Sequence, residues 1–165
     1  YTWQFAKAQF IAEKHGWTKF VSMQNHLNLL YREEEREMIP FCEDQKIAIT
    51  PYSPLASGRL TRDWTGDTKR SLTDQTSKMK YDQTMDQDRV IVERVAQVAE
   101  ELDVKRAQVA LAWLMQKEVV TVPIIGATKE SHLLDALPAI DVTLTPEQVA
   151  FLEEPYLPHQ VVGAR

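Results

Sequence analysis

Short apolar stretches and longer periodic stretches alternate along the chain. Three runs of apolar and β-branched residues, at 20–23, 47–50 and 119–125, have the length and composition of buried strands. Between and after them, apolar residues recur every three or four positions, which predicts amphipathic helices. The predicted helices cover residues 3–15, 32–45, 86–103, 105–117 and 130–137, and Thr145 and Pro146 open a short final helix.

The order of these elements predicts an α/β fold. Strands that alternate with helices pair in parallel through right-handed crossover connections. A length of 165 residues suggests one domain or a large part of one. Three strands that are buried on both faces do not complete a parallel sheet of ordinary size, so we expect another element to cover them. The helical pattern at Tyr1, without an initiator Met, predicts that the chain starts inside a larger unit.

The loop after the second predicted strand is the strongest candidate for a ligand site. Residues 51–58 are small, hydroxylated and interrupted by proline and glycine, which predicts a shaped loop rather than a helix. Ligand sites of α/β proteins lie at the carboxyl ends of strands, where this loop begins. An ordinary turn is an equally weighted alternative. The loop offers a flat ring at Tyr52, hydroxyls at Ser53 and Ser57, close backbone approach at Gly58, and charges suited to phosphate at Arg59 and Arg62.

The other two predicted strands also end in polar residues. Gln24 opens a run of amides after the first strand, and an amide can hydrogen-bond a carboxamide both as donor and as acceptor. For Asn25 and Asn28 we favour loop capping, and for His26 a loop or packing role. The third strand leads into GATK at 126–129 and then into a helix N-terminus. This arrangement is receptive to phosphate, although many ordinary strand-to-helix turns share it.

Two segments lack the periodicity of a helix or a strand. Residues 61–85 are rich in Thr, Asp, Lys and Gln, and a loop of this length is usually functional or disordered. We interpret it as a lid over a ligand or as a mobile surface loop, and the two interpretations are compatible. Residues 155–165 contain two prolines and are predicted to wrap over a surface.

Composition and charge narrow the classes of function. The net charge of -5, without a local cluster of Lys and Arg, argues against a nucleic-acid partner. No apolar run approaches the roughly 20 residues that span a bilayer, so we expect no membrane partner. The single cysteine, Cys42, excludes an intrachain disulfide and predicts a reducing, cytoplasmic location. We interpret the acidic run at 33–37 as a water-facing first turn of a helix rather than a metal site.

Four ordered stretches of the chain resemble one enzyme family. FVSMQNHLNLLYREEEREMIPFC, IAITPYSPLASGRLTR, RAQVALAWL and VPIIGATKESHLLDAL together resemble the aldo-keto reductases, in particular the bacterial branch that is similar to the β subunits of voltage-gated potassium channels. The resemblance implies a (β/α)8 TIM barrel that uses NADPH to reduce aldehydes and ketones. Residues 1–165 would be the carboxyl-terminal half of that barrel domain, and the three predicted strands would be its sixth, seventh and eighth.

The resemblance also implies cofactor-binding roles for individual residues. Gln24 would hold the nicotinamide carboxamide, and Tyr52 would stack on the nicotinamide ring. His132 and Asp135 would lie beside the adenine, and Ala136 replaces the usual Asn there, so adenine recognition would be altered. The remaining matches are the loop along the pyrophosphate (Ser53, Pro54, Leu55, Ser57 and Gly58, with charge from Arg59 or Arg62) and the pocket around the adenosine 2′-phosphate (Gly126, Thr128 and Lys129).

The resemblance supplies no catalytic residue. The family's tetrad of Asp, Tyr, Lys and His lies on the second, third and fourth barrel strands, which this sequence does not contain. Four tyrosines of this chain lie outside the tetrad motif, and none of them is interpreted as a proton donor. They are Tyr31, Tyr52, Tyr81 and Tyr156.

Two hypotheses about function follow. In the first, the chain is the cofactor-binding part of an NADPH-dependent reductase of small carbonyl substrates, completed by an amino-terminal half or by a second copy. In the second, it is a non-catalytic nucleotide-binding or assembly module formed by a half-barrel. In either case we expect the isolated chain to be inactive and to bind NADPH weakly, because the dinucleotide normally gains contacts from both halves.

Overall fold

Helices and short parallel strands alternate in a computed structural model of the protein, which describes residues 1–66 and 73–162. The architecture is α/β, as predicted. Short 3-10 helices at Glu33–Glu35, Ala56–Thr61, Asp82–Thr84 and Leu137–Asp141 separate the longer elements. The longer elements are α1 (Thr2–Lys14), β1 (Ser22–Met23), α2 (Met38–Asp44), β2 (Ala48–Ile49), α3 (Gln75–Tyr81), α4 (Met85–Glu101), α5 (Arg106–Met115), α6 (Glu130–Ala136) and α7 (Pro146–Glu153).

The described part of the chain forms a sheet of two parallel strands. β1 pairs with β2 in the register Ser22 with Ala48 and Met23 with Ile49. Pairing continues beyond the strands through a single parallel bridge between His26 and Tyr52. Both strands are shorter than predicted, but their parallel direction and their order along the chain agree with the prediction.

The third predicted strand, over 119–125, is wrong in its extent. This segment meets the β2 segment only at two isolated parallel bridges, Ile49 with Val120 and Tyr52 with Ile124. The bridges span 49–52 on one segment and 120–124 on the other, so the third segment carries an extra residue. Pro123 explains the break, because it has no N–H to donate; the N–H of Ile124 donates to Pro51 O instead, at 2.8 Å.

The core lies between the sheet segments and the helices that follow them. On α4, Ile91, Val95 and Val98 are buried at spacings of four and three residues, which confirms the predicted helical face. α4 packs against α5, and α5 packs against α6 and the 3-10 helix after it. The largest fully buried side chains include Leu27, Leu30, Tyr31, Ile49, Leu60, Tyr81, Trp113, Leu114 and Leu152.

Helix α1 buries only part of the predicted apolar face, since Ala12 is buried and Phe5 packs against the core. Its buried residues are Gln9 and Ala12, whereas Trp3 and Phe10 are more than 60% exposed. The side-chain amide of Gln9 both donates to Phe20 O and accepts from Phe20 N, at 2.8 Å each. That pair of hydrogen bonds fixes α1 beside β1 through a polar contact, and it leaves apolar side chains facing water.

The exposed apolar residues on this side form what we call the α1–β1 surface. Besides the two on α1, it includes residues just before and at the edge of β1. Large exposed apolar side chains of this kind are candidates for an interaction site. The α1–β1 surface consists of Trp3, Phe10, Trp17, Phe20 and Val21.

The predicted helix over 32–45 is also corrected. α2 begins only at Met38, so Pro40 lies in its first turn, where an N–H is not needed for intrahelical hydrogen bonds. The prediction that the acidic residues before α2 face water is confirmed for Glu37, which is exposed, but it is wrong for Glu33. Glu33 is buried and accepts hydrogen bonds from Tyr156 Oη at 2.8 Å and from the His159 backbone N–H at 2.7 Å. Glu35 pairs with Arg32 at 2.7 Å.

The carboxyl-terminal segment wraps over the surface as predicted, as far as the described residues extend. His159 is buried, and its Nε2 lies 2.9 Å from Asp88 Oδ1 on α4. Asp88 also accepts a hydrogen bond from Thr84 Oγ1 at 2.6 Å. Farther along, Val162 N–H donates to Tyr31 Oη at 3.2 Å. The segment is therefore held by polar contacts at both ends, and residues 163–165 lie outside the described part.

The contact between His159 and Asp88 predicts a pH dependence of stability. Burial opposes the charged imidazole, but the hydrogen bond and charge of Asp88 outweigh it and raise the pKa of His159. A raised pKa stabilises the fold below the unfolded value of about 6.5, and this stabilisation is lost as pH rises through the folded pKa. Urea denaturation from pH 6 to pH 9 should show a falling free energy of unfolding.

The matched control is His15, which is exposed at the end of α1. We expect the decline with pH to be smaller in His159→Gln and unchanged in His15→Gln. An undiminished decline in His159→Gln would assign the pH dependence to another group.

Candidate functional site

A cleft of about 460 Å3 lies where β2 and the third parallel segment end. Its walls come from the loop after β2, the first turn of α5, the segment 124–127 and α6. These stretches are far apart in sequence, and the parallel arrangement of the segments brings their carboxyl ends to one edge. The predicted site residues that line the cleft are Tyr52, Ser53, Pro54, Leu55, Ser57, Gly58, Gly126, His132 and Asp135.

The loop after β2 has an unusual backbone. Ser53, Ala56 and Ser57 have φ angles of 58°, 48° and 57°, and Gly58 has a φ of 89°. Non-glycine residues rarely adopt this left-handed region, and such residues concentrate at functional sites. At Gly58 a Cβ would meet only Thr61 Oγ1 at 3.8 Å, so it is the φ angle rather than crowding that favours glycine.

Asn28 supports this loop from beneath. Its side-chain Nδ2 donates to Ser53 O at 2.9 Å, and its Oδ1 accepts from the Leu30 N–H at 2.9 Å. Ser53 O also accepts from the Ala56 N–H at 3.0 Å, so the strained turn is held from both sides. The predicted capping role of Asn28 is confirmed.

The ring of Tyr52 ends a stack of three aromatic rings. His26 lies 5.0 Å from Tyr52 and 4.3 Å from Tyr31, centroid to centroid, with planes inclined by 18° and 14°. Burial, and then the charge of Lys80, lower the pKa of His26 to about 3, so its imidazole is neutral. His26 therefore positions Tyr52 by packing, as predicted, rather than by acid–base chemistry.

Tyr81 closes the stack from one edge. Its hydroxyl lies 2.8 Å from His26 Nε2 and accepts a hydrogen bond from Asn28 Nδ2 at 3.1 Å. The side chain is completely buried, and burial raises its pKa to about 12. A tyrosine in this position neither reaches a ligand nor gives up its proton readily, in agreement with its exclusion as a proton donor.

The arginine residues predicted for the pyrophosphate lie away from the cleft lining. Arg59 is buried, forms an ion pair with Asp82, and lies 5.7 Å and 5.5 Å from the rings of Trp64 and Tyr81. Arg62 donates to the backbone carbonyl of Gly66 at 3.1 Å. The charge of Arg59 is thus engaged by Asp82, a contact across the chain that local sequence does not reveal.

The other predicted residues outside the lining are exposed. Gln24 follows β1 directly, and Thr128 and Lys129 precede α6, with Lys129 at its N-cap. The structure brings their segments to the cleft edge without placing these side chains in its wall. Whether they contact a ligand stays a prediction.

Several cleft features were not predicted. Ala107, at the start of α5, lines the cleft, and Ile124 and Ile125 add apolar side chains to its wall. Asp135 forms an ion pair with Lys105, so its carboxylate is already neutralised. No sequence motif indicates the ion pair between Lys105 and Asp135. Lys105 precedes α5, and Asp135 lies on α6, 30 positions away.

The described residues give no support to a metal or membrane role. Among them, no group of three or more His, Cys, Asp and Glu side chains is arranged to hold a metal ion. Within the same ranges, no helix combines the length and apolar character needed to cross a bilayer.

The fold is α/β, and the cleft lies at the carboxyl ends of parallel segments, where proteins of this class bind ligands. A sequence profile of the Aldo/keto reductase family matches residues 1–156. The chain belongs to this family.

Similar proteins carry reductase and dehydrogenase names. A putative aryl-alcohol dehydrogenase of Schizosaccharomyces pombe is 44% identical over 98% of this chain and 45% of its own length. The versiconal hemiacetal acetate reductase of Aspergillus parasiticus is 40% identical over 96% and 47%, respectively. A putative aryl-alcohol dehydrogenase of Saccharomyces cerevisiae is 40% identical over 95% and 46%. The chain thus spans about half the length of these curated relatives, and its assignment to a bacterial branch stays a prediction.

Proposed function

We propose that this chain is the carboxyl-terminal, cofactor-binding half of an aldo-keto reductase barrel that uses NADPH to reduce aldehydes or ketones. Family membership and the names of the relatives support a reductase. The observation that carries the proposal is the cleft, because residues predicted from two separate sequence stretches, 52–58 and 126–135, for one dinucleotide line the same cavity.

The chemistry of the cleft fits an extended dinucleotide. Tyr52 offers a ring already fixed by His26, and the loop from Ser53 to Gly58 offers hydroxyls and backbone groups in a left-handed turn. At the other end, Gly126 and His132 border the cavity. We propose that these residues bind the nicotinamide, the pyrophosphate and the adenosine, in that order.

Bound NADPH would supply the hydride for a carbonyl carbon, and this chain would bind and orient it. The proton donor would come from outside this chain, from an amino-terminal half, because a second copy would carry the same sequence and no tetrad. The buried position of Tyr81 and its raised pKa support that division of labour. Small carbonyl compounds would be the substrates.

Turnover tests this proposal. A protein that contains this chain together with a complete tetrad should consume NADPH when an aldehyde is added, measured by absorbance at the nicotinamide band. The isolated chain should bind NADPH without consuming it. The absence of carbonyl-dependent consumption by the complete protein over a wide aldehyde panel would count against a reductase.

Lys129 gives a prediction about cofactor choice. As the N-cap residue of α6, it lies at the adenosine end of the proposed site with its side chain exposed. In a complete barrel, Lys129→Ala should weaken NADPH binding by about 1–2 kcal/mol, the scale of a charge-assisted contact to the 2′-phosphate. NADH, which lacks that phosphate, should be much less affected.

Isothermal titration calorimetry measures the affinities for NADPH and NADH. Lys7→Ala is the matched control, because Lys7 is also an exposed lysine and lies on α1, far from Lys129 in the sequence. Equal losses for NADPH and NADH in Lys129→Ala would remove Lys129 from the 2′-phosphate pocket.

A second candidate function is assembly without catalysis. The α1–β1 surface favours it, because apolar side chains beside an open strand edge are suited to pairing with a second copy. Light scattering of the isolated chain tests the assembly module, because it measures whether the chain is a monomer or a dimer. A stable soluble monomer would contradict the assembly module, and a dimer disrupted by Phe20→Glu would support it.

A further inference from the structure

Lys80 contacts the ring that the proposed function assigns to the nicotinamide. Its Nζ donates to Tyr52 Oη at 3.1 Å and lies 4.5 Å from the centroid of that ring. The two residues are 28 positions apart, and Lys80 belongs to the segment interpreted from sequence as a lid or a surface loop. In the structure this part of the segment is the helix α3, whereas residues 67–72 lie outside the described part.

The two residues that follow Lys80 hold it in place. Tyr81 is completely buried and bonded to His26 and Asn28, and Asp82 forms an ion pair with the buried Arg59. These anchors fix the end of α3 against the loop after β2. The ammonium of Lys80 is therefore directed to Tyr52 by the fold, unlike a freely rotating surface lysine.

The contact completes the support of the Tyr52 ring. His26 stacks on the ring and restrains its plane, while Lys80 binds the hydroxyl and restrains the position of its tip. Among the described residues, the contacts of the Lys80 ammonium include both the hydroxyl and the ring of Tyr52. A cation at a tyrosine ring is a favourable contact.

We propose that Lys80 is a positioning residue for the nicotinamide end of the cleft, acting through Tyr52. This inference rests on the proposed function, since it requires a cofactor ring on Tyr52. It extends that function by assigning part of α3 to the site. It also separates the two ends of the cleft, because Lys80 should influence ligands that carry a nicotinamide and leave ligands without one unaffected.

Binding of three ligands to variants of Lys80 and Lys78 in the 165-residue chain tests the proposal. Lys80→Met keeps the aliphatic stem and removes the charge, and Lys78→Met on the same helix is the control. We expect Lys80→Met to weaken NADPH and NADH roughly fivefold, the scale of one hydrogen bond, in fluorescence titrations. Adenosine 2′,5′-bisphosphate, which lacks nicotinamide, should bind equally to all variants. Lys80→Arg should restore binding of NADPH.

A double-mutant cycle distinguishes positioning from direct contact. Tyr52→Phe removes the acceptor of Lys80, so it should reproduce the loss seen in Lys80→Met, and the double variant should lose no more than either single variant. If Lys80→Met does not fold, as judged by circular dichroism, Tyr52→Phe still carries the test.

Each other result overturns the inference in a different way. Weaker binding of the bisphosphate, or a further loss on a Tyr52→Phe background, would show that Lys80 contacts the ligand itself. Equal effects of Lys80→Met and Lys78→Met would reduce Lys80 to a surface charge. Failure of the unmodified chain to bind any of the three ligands would overturn the proposed function, whereas loss of the Lys80 effect alone would leave that function standing.

Discussion

Replacing Trp113 by alanine is expected to lower the free energy of unfolding by about 3–5 kcal/mol, the largest effect of any single change considered. Trp113 on α5 is 1% exposed, and its Nε1–H donates to Glu153 Oε1 at 2.8 Å. The guanidinium of Arg32 lies 5.7 Å from its ring, and the ammonium of Lys117 lies 4.4 Å away. Removal therefore leaves a cavity and also takes a hydrogen bond and two cation contacts from the same cluster.

Urea denaturation followed by circular dichroism measures this difference, and Trp17 provides a matched control. Trp17 is 64% exposed, so Trp17→Ala should change the free energy of unfolding by no more than about 0.5 kcal/mol. A loss below about 1 kcal/mol in Trp113→Ala would mean that α5 is not packed as described.

Replacing Tyr52 by alanine is expected to weaken NADPH binding about 10- to 100-fold, or roughly 1.5–3 kcal/mol, the range found for losing an aromatic stacking partner. The ring lines the cleft and is the terminal member of the stack with His26 and Tyr31. Alanine removes the flat surface and also exposes the face of His26.

Tyr52→Phe is the control for this substitution, because it keeps the ring and removes only the hydroxyl bound by Lys80. Fluorescence titration with NADPH should show at most a several-fold loss in Tyr52→Phe. Unchanged affinity in a folded Tyr52→Ala variant would place the nicotinamide elsewhere.

Local pattern predicted the helices well. In α4 the apolar spacing that predicted a helix is also the spacing of the residues that become buried, such as Ile91 and Val95. In α4 the amphipathic sequence and the tertiary environment agree, so the local sequence is sufficient to predict both the helix and its buried face. The start of α2 at Met38 was not predicted, although Pro40 in its first turn fits a helix start better than a helix interior.

Contacts between distant segments limited the remaining predictions. Pro123 interrupts the ladder of the third segment, although the residues around it have strong strand preference. Arg59 looked suited to phosphate, but Asp82, on a turn 23 positions away, engages it. Gln9 of α1 is buried because its amide satisfies the backbone of Phe20, a contact that apolar periodicity does not indicate.

The residues of the candidate site were likewise predicted only in part. The loop after β2 was predicted because its hydroxyls, proline and glycine are contiguous, and it does line the cleft. Lys80 and Lys105 were not predicted, because their places beside Tyr52 and Asp135 depend on how helices pack rather than on any nearby motif.

Nuclear magnetic resonance of the 15N-labelled chain, titrated with NADPH, tests most directly whether the cleft binds a dinucleotide. Amide signals of residues 52–58 and 124–127 should shift together along one saturation curve, while signals of the α1–β1 surface stay in place. Saturation without shifts in those two stretches, or shifts confined to the α1–β1 surface, would contradict the account.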